Sequence, residues 1–405
     1  MTKATFSYSL IQASFWAIYG TVYCYSGAYL LSVGLTNTYI GIFMGSTVGL
    51  CSLGQIFFSA LLNNNPQLPL TRFLQIMSGI MLLGSVALLF RPPRVVSVLL
   101  FLLLCFLLQL LPSFINSVGM AEIQQEVPIN FGIGRGIGSF GYAVISILTG
   151  RLLTAFGNRV MFIVASLLSI LFFLSVVQFT SVMRSCHERI PAPQAAEAPM
   201  KRKIGLESSF LRKYKRYAVF LIGVAVIMTG HTFMSNFLYQ IIRFKGGNET
   251  STGIAAAIAA FSEIPIMFGF VYMLRAARCD NYLRVSCVFL AFKLLLVFLA
   301  SSIHMVYFAQ ICQMPGYALF TVCAVYYTGT VIAHEDVVSG QAYLNAASIL
   351  GAFLSLILGG AIIDRFGVQA LLLAGVTVMS AGAAVIFCAV QRINKTVGTE
   401  FQSVK

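Results

Sequence analysis

Charge is scarce in this chain. Only 9% of its 405 residues are Asp, Glu, Lys or Arg, against 59% hydrophobic residues and a mean hydropathy of +0.88. A soluble globular domain carries about a quarter charged residues, so most of this chain is not one. Acids are scarcest, with twelve in all. There is no CxxC pair, no His/Cys cluster at metal-ligand spacing and no Gly-rich nucleotide loop. Those gaps exclude a zinc or thiol-redox centre and, for the chain alone, an ATP-driven pump. The nine cysteines are scattered, mostly in apolar stretches, and read as small apolar side chains. No metal and no cofactor is implied.

What the chain has is long apolar runs. Residues 95–111 and 160–177 carry no charge at all, and a run of about 18 such residues is read as a membrane-crossing helix. Twelve spans are predicted, at 8–32, 38–62, 72–90, 95–119, 132–155, 160–182, 216–241, 252–274, 284–303, 306–330, 338–362 and 368–390. The first lacks a small-residue cleavage site and is read as a retained helix. The fold expected is an all-α polytopic membrane protein of twelve transmembrane helices.

The net charge of +14 would suit nucleic acid, but its placement reports topology. Of the 26 basic residues, Arg135 and Lys293 fall inside spans. With the amino terminus inside the cell, 17 of the others fall on cytoplasmic segments and seven on outer ones. This bias follows the positive-inside rule with both termini cytoplasmic, in a cytoplasmic (inner) membrane. It also brings some attraction to anionic lipid. The longest polar segment follows six spans and precedes six more. The division expected is therefore a six-helix domain at 1–182, a cytoplasmic linker at 183–215, a second six-helix domain at 216–392 and a tail at 393–405. The linker reads as a solvated tether.

The halves repeat each other. A shift of 210 residues lays the fifth span on the eleventh: Gly141 meets Gly351, Ile147 meets Ile357, Leu148 meets Leu358, Gly150 meets Gly360, and the pair Phe156 and Gly157 meets Phe366 and Gly367. Two such pseudo-symmetric six-helix halves are the build of many secondary transporters, whose solute site lies near the bilayer midplane.

Against this background three charges stand out. Glu263 is the only acid inside a predicted span. It is about 11 residues from either end, or roughly 16 Å by helix rise, too deep to reach water. A carboxylate there faces a cavity or a cation, or is protonated, and a site that alternates between these states loads and releases a proton. A Glu that only ties helices together is the competing reading. Pro265, two residues on, removes a helix partner from the Phe261 carbonyl. Lys293 lies nine residues into its span, where a lysine stem can still reach toward the surface. Arg135 lies in FGIGRGIGSFGY, residues 131–142. There Arg135, Ser139 and Tyr142 share one helix face beside a glycine stripe, a pairing of guanidinium and aromatic that suits a polyol. An ordinary basic residue at a helix end is equally compatible. Asn116, His231, Asn236, Gln310, Gln313, Gln341 and Asn345 could line a cavity or make interhelical hydrogen bonds. Trp16 reads as an interfacial aromatic.

These residues make the chain resemble the major facilitator superfamily, and within it the oligosaccharide–proton symporters typified by lactose permease. The resemblance runs through most of the chain. It assigns Arg135 to the sugar-binding arginine, Tyr142 to the aromatic that stacks on the sugar, Glu263 to the span-eight glutamate linked to sugar and proton, and Lys293 to a span-nine arginine. His231 falls where an aspartate is expected, and Asn236 matches an asparagine. The departures are Asn116 for the N-half acid, Gln310 and Gln313 for the His and Glu of the proton pathway, Ser348 for a lysine, and LNNN at 62–65 for the acidic loop motif.

The function expected is import of a small polar solute, a sugar or oligosaccharide, by proton-coupled alternating access in a monomer, with sodium as the other coupling ion. Efflux of an amphipathic compound by proton antiport and a non-transporting sensor are the alternatives. A membrane-embedded enzyme would need a catalytic pair, and His334, Glu335 and Asp336 read instead as a solvated loop.

Overall fold

In the computed structural model, residues 1–65, 67–187, 208–333 and 336–390 are described. The expected tail at 393–405, most of the expected linker, and His334 and Glu335 lie outside them. The described residues form helices α1 (Lys3–Val22), α2 (Ser26–Ser32), α3 (Asn37–Asn64), α4 (Leu70–Leu89), α5 (Arg94–Gln124), α6 (Phe131–Phe156), α7 (Arg159–His187), α8 (Ser208–Lys213), α9 (Lys215–Asn236), α10 (Leu238–Phe244), α11 (Glu249–Ala276), α12 (Cys279–Leu299), α13 (Ile303–Ile311), α14 (Leu319–Val331) and α15 (Val337–Ala389). A π-helical turn, Met314–Ala318, joins α13 to α14.

The helices are apolar all round, which is the mark of a membrane span. In α7 the inward positions are Met161, Ala165, Phe172, Val176 and Phe179, yet Ile163, Leu167, Ile170 and Leu174 are exposed. Among the described residues, ten stretches have the length and apolarity to cross a bilayer. The last, α15, is two spans meeting at Gly367, whose φ of 82° and ψ of 171° are not helical. Helix α1 is more polar and buries Thr5, Ser7, Ser9, Gln12 and Ser14. With α1 counted and α15 divided, the twelve spans are accounted for.

Their outlines differ from the sequence expectation. The first span is broken at Tyr23–Tyr25 between α1 and α2, the seventh at Phe237 between α9 and α10, and the tenth by the π turn. Pro315 lies in that turn and has no N–H to give the ladder. At Pro265, by contrast, α11 continues through the proline. Asp280, expected in a loop, belongs to the first turn of α12 and is fully buried. Arg278 holds it through bonds of 2.9 and 2.5 Å, and Arg284 adds one of 3.3 Å. A buried carboxylate is tolerable when it is paired in this way.

Two compact units are present. One comprises Met1–Leu35, Phe43–Met200 and Gly247–Phe261; the other comprises Thr36–Ile42, Lys201–Gly246 and Ser262–Lys405. In the first, α1 packs on α6 and α7 and α4 on α7. In the second, α15 packs on α9 and α12. The repeat recurs in the backbone: Gly157 and Gly367 both have positive φ, and so do Gly34 and Gly246. Such values favour glycine, which carries no Cβ penalty there.

Each unit grips a helix N-terminus. In the second, Asp364 on α15 accepts hydrogen bonds from Asn37 N at 3.1 Å, Asn37 Nδ2 at 2.8 Å, Thr38 N at 2.6 Å and Thr38 Oγ1 at 2.6 Å. Its carboxylate therefore caps α3 and offsets the positive end of the helix dipole. A side chain at Gly360 would collide with the Asn37 carbonyl. In the first unit Thr154, 210 residues earlier, receives a bond of 3.2 Å from Thr250 N at the start of α11, and the two hydroxyls are 3.0 Å apart. Asp364→Ala should destabilise the protein by about 1–3 kcal/mol and Thr154→Ala by about 1 kcal/mol. Thermal unfolding of purified protein, followed by thiol labelling of the buried cysteines, tests this; equal midpoints for the two variants would refute it.

Candidate functional site

The polar residues singled out in the sequence fall into two groups, one in each unit. In the first unit Asn130 accepts a 3.0 Å bond from Ile133 N and starts α6, which puts Arg135 in its second turn. The guanidinium lies over the Trp16 ring, 4.4 Å from its centroid. Trp16 is thus a platform for Arg135 rather than an interfacial anchor. Trp16 Nε1 donates to Gln12 Oε1 at 3.0 Å. Gln12, fully buried, donates from Nε2 to Tyr8 Oη at 2.7 Å and to Asn116 Oδ1 at 3.2 Å. Asn116, Gln12, Trp16 and Arg135 thereby form one connected polar group. Tyr142 joins the same wall through Tyr19, with ring centroids 6.4 Å apart. Ser139 turns back onto the Arg135 carbonyl of its own helix at 3.4 Å.

In the second unit Glu263 and Lys293 do meet, but through a third residue. Gln313 Nε2 donates to Glu263 Oε1 at 2.8 Å, and Lys293 Nζ donates to Gln313 Oε1. Lys293 is 5% exposed and Gln313 6%. Lys293 is 14 residues from the start of α12 and six from its end, and its amine turns inward onto Gln313 rather than snorkelling to the surface. The neutral amide presents its acceptor to the buried cation and its donors to the half-buried carboxylate, so among the described residues both charges are met through it. The π turn begins directly after Gln313. On it Tyr317 stacks on His231, with centroids 4.2 Å apart and planes at 8°. His231 Nε2 is also 3.4 Å from Ser235 Oγ. Asn236 Nδ2 is buried and meets no acceptor among the described residues. A buried amide donor left open invites a water or a solute.

Asn345 is exposed on α15 and is brought into neither group. Gln341 bonds the Val325 carbonyl at 2.8 Å and serves helix packing. Reading the sequence missed Gln12, Tyr8 and Tyr317. Gln12 is the one amide in a span of hydroxyls and aromatics, a signal of the same kind as Glu263.

An all-helical chain of twelve spans, with a backbone repeat and buried charge at mid-span, has the build of a membrane carrier. The chain belongs to the MFS_1 like family, whose sequence profile matches residues 6–374, and is an integral membrane transporter of the major facilitator class. Solved structures share its fold. The nucleoside transporter NupG aligns over 96% of this chain and 98% of its own, with a TM-score of 0.75 at 15% identity. A bacterial homolog of the human lysosomal transporter Spinster gives 96% and 98%, 0.67 and 12%. An auto-inhibited POT family peptide transporter gives 97% and 98%, 0.68 and 10%. Comparison with curated proteins gives no match.

Gln313→Met keeps the side-chain volume but removes both bonds. It should lower stability by about 1–3 kcal/mol, because a buried lysine and a half-buried carboxylate each lose a partner. An unchanged unfolding midpoint would show that the bridge contributes nothing.

Proposed function

We propose that this chain imports a small polar solute by proton-coupled alternating access, with Glu263 as the proton-carrying group. One observation carries the reading: a carboxylate at mid-helix is joined to a buried lysine by a neutral amide. Such an arrangement supports the carboxylate in either protonation state. Gln313 can donate to an ionised oxygen or to a protonated carboxyl's carbonyl oxygen, so taking up a proton breaks no bond to the amide. Intramembrane acids of this kind mark proton and solute paths. Lys293 tunes the carboxylate by its charge. The N-terminal group supplies Arg135 and Tyr142, a guanidinium and an aromatic that suit vicinal hydroxyls and a sugar ring. Asn236 adds an open donor, and His231 an aromatic face in the second unit.

A sugar or oligosaccharide is the first reading of the solute. A nucleoside is the second, favoured by the fold shared with a protein named as a nucleoside transporter and by the ring pairs at Tyr317 and Trp16, whose flat faces suit a base. The charge bias supports a cytoplasmic membrane with both termini inside, since basic residues are most numerous on the segments assigned to that side. The domain limits proposed are 1–182 and 216–392.

In lightly buffered cells, wild type given its solute should alkalinise the medium. Glu263→Gln should abolish that signal, and Arg135→Ala should cut labelled uptake at least tenfold. Identical pH traces from wild type and Glu263→Gln, while labelled solute still enters, would remove Glu263 as the coupling group and turn attention to sodium.

A further inference from the structure

Apart from both polar groups, the junction of α8 and α9 is built around a cavity of about 330 Å³. Arg212, Lys213, Lys215 and Arg216 line it, with Tyr214, Tyr217 and Tyr327. The chain bends at Tyr214, where φ is −112° and ψ 60°, so cations from two helices converge on one space. The bend is firmly held. Phe210 stacks on Tyr343 at 4.9 Å and 13°. Tyr217 Oη bonds the Gly340 carbonyl at 2.8 Å, and Tyr214 Oη donates to Asp336 Oδ2 at 2.8 Å.

The charges do not balance. Asp336 takes Lys213 at 2.7 Å. That bond holds the Asp336 carboxyl below, and the Lys213 amine above, their usual ranges. Among the described residues no carboxylate pairs with Arg212, Lys215 or Arg216. The first turn of α9 also receives no side-chain cap from Tyr214, so its N–H groups add to the positive field. Beyond the cations the surface turns apolar. Val219 and Ile222, four and seven residues past Lys215 on the same helix face, are 42% and 59% exposed.

We propose that this junction is a binding site for a phosphate-bearing membrane lipid. The phosphate sits among Arg212, Lys215 and Arg216, and an acyl chain runs along Val219 and Ile222. Guanidinium groups meet phosphate oxygens through paired, charge-assisted bonds, and clustered cations at a membrane edge recognise anionic headgroups. A soluble phosphate compound shares the headgroup chemistry but has no use for the apolar stripe. The site is independent of the transported solute and of proton coupling.

Native mass spectrometry of the full-length protein in detergent tests this, with phosphatidic acid, phosphatidylcholine and inorganic phosphate as probes. One phosphatidic acid per chain should be retained in preference to phosphatidylcholine. Replacing Arg212, Lys215 and Arg216 together by Gln should weaken it roughly a hundredfold, at about fivefold per cation. Val219→Gln with Ile222→Gln should weaken the lipid and leave inorganic phosphate unaffected. A charge-matched control, with Lys3, Arg72 and Arg275 replaced by Gln, should bind like wild type. Equal retention of both lipids, equal loss in the control, or inorganic phosphate binding as tightly as phosphatidic acid would each overturn the proposal.

Discussion

The cost of charge inside hydrocarbon governs this structure. Glu263 is at the middle of α11, and Lys293 is buried inside α12. Each would be expensive alone, and a bare ion pair would fix both in the charged state. Gln313 resolves the conflict by placing one neutral amide between them. The π turn that follows extends the consequence, since Pro315 loosens the ladder and Tyr317 is set against His231. The tenth span is therefore irregular where it carries the most polar side chains. Irregular backbone at membrane depth is tolerated where protein or a water-lined cavity can satisfy it.

The first unit meets the same constraint with an amide and an indole. Gln12 spends its amide on Tyr8, Asn116 and Trp16, and Trp16 carries Arg135 on its face. A guanidinium over an indole draws electrostatic support from the face of the ring. The two units thus hold their cations differently, one on a ring and one on an amide.

Much of the fold was legible in the sequence because the signals were repeated or isolated. Long uncharged runs gave the spans, and glycines in register gave the repeat, which recurs as the positive φ of Gly157 and Gly367. The breaks at Tyr23–Tyr25 and Phe237 were not legible. Neither carries a proline, and apolar composition reads the same through a kink as through a straight helix. Asp280 was misplaced because its flanking arginines look like a solvated loop, whereas they are its buried partners. Within the site, Glu263 was visible by its isolation. The bridging place of Gln313 was not, since an amide has no charge to mark it and its bonds come from two other helices.

The grips on α3 and α11 occupy equivalent places in the repeat but differ in chemistry. Asp364 applies a full charge and four bonds to one helix start, while Thr154 offers a hydroxyl to the other. A symmetric backbone therefore carries asymmetric latches. The start of α11 is anchored by weaker, uncharged bonding than the start of α3, so the two equivalent anchor points of the repeat differ in strength.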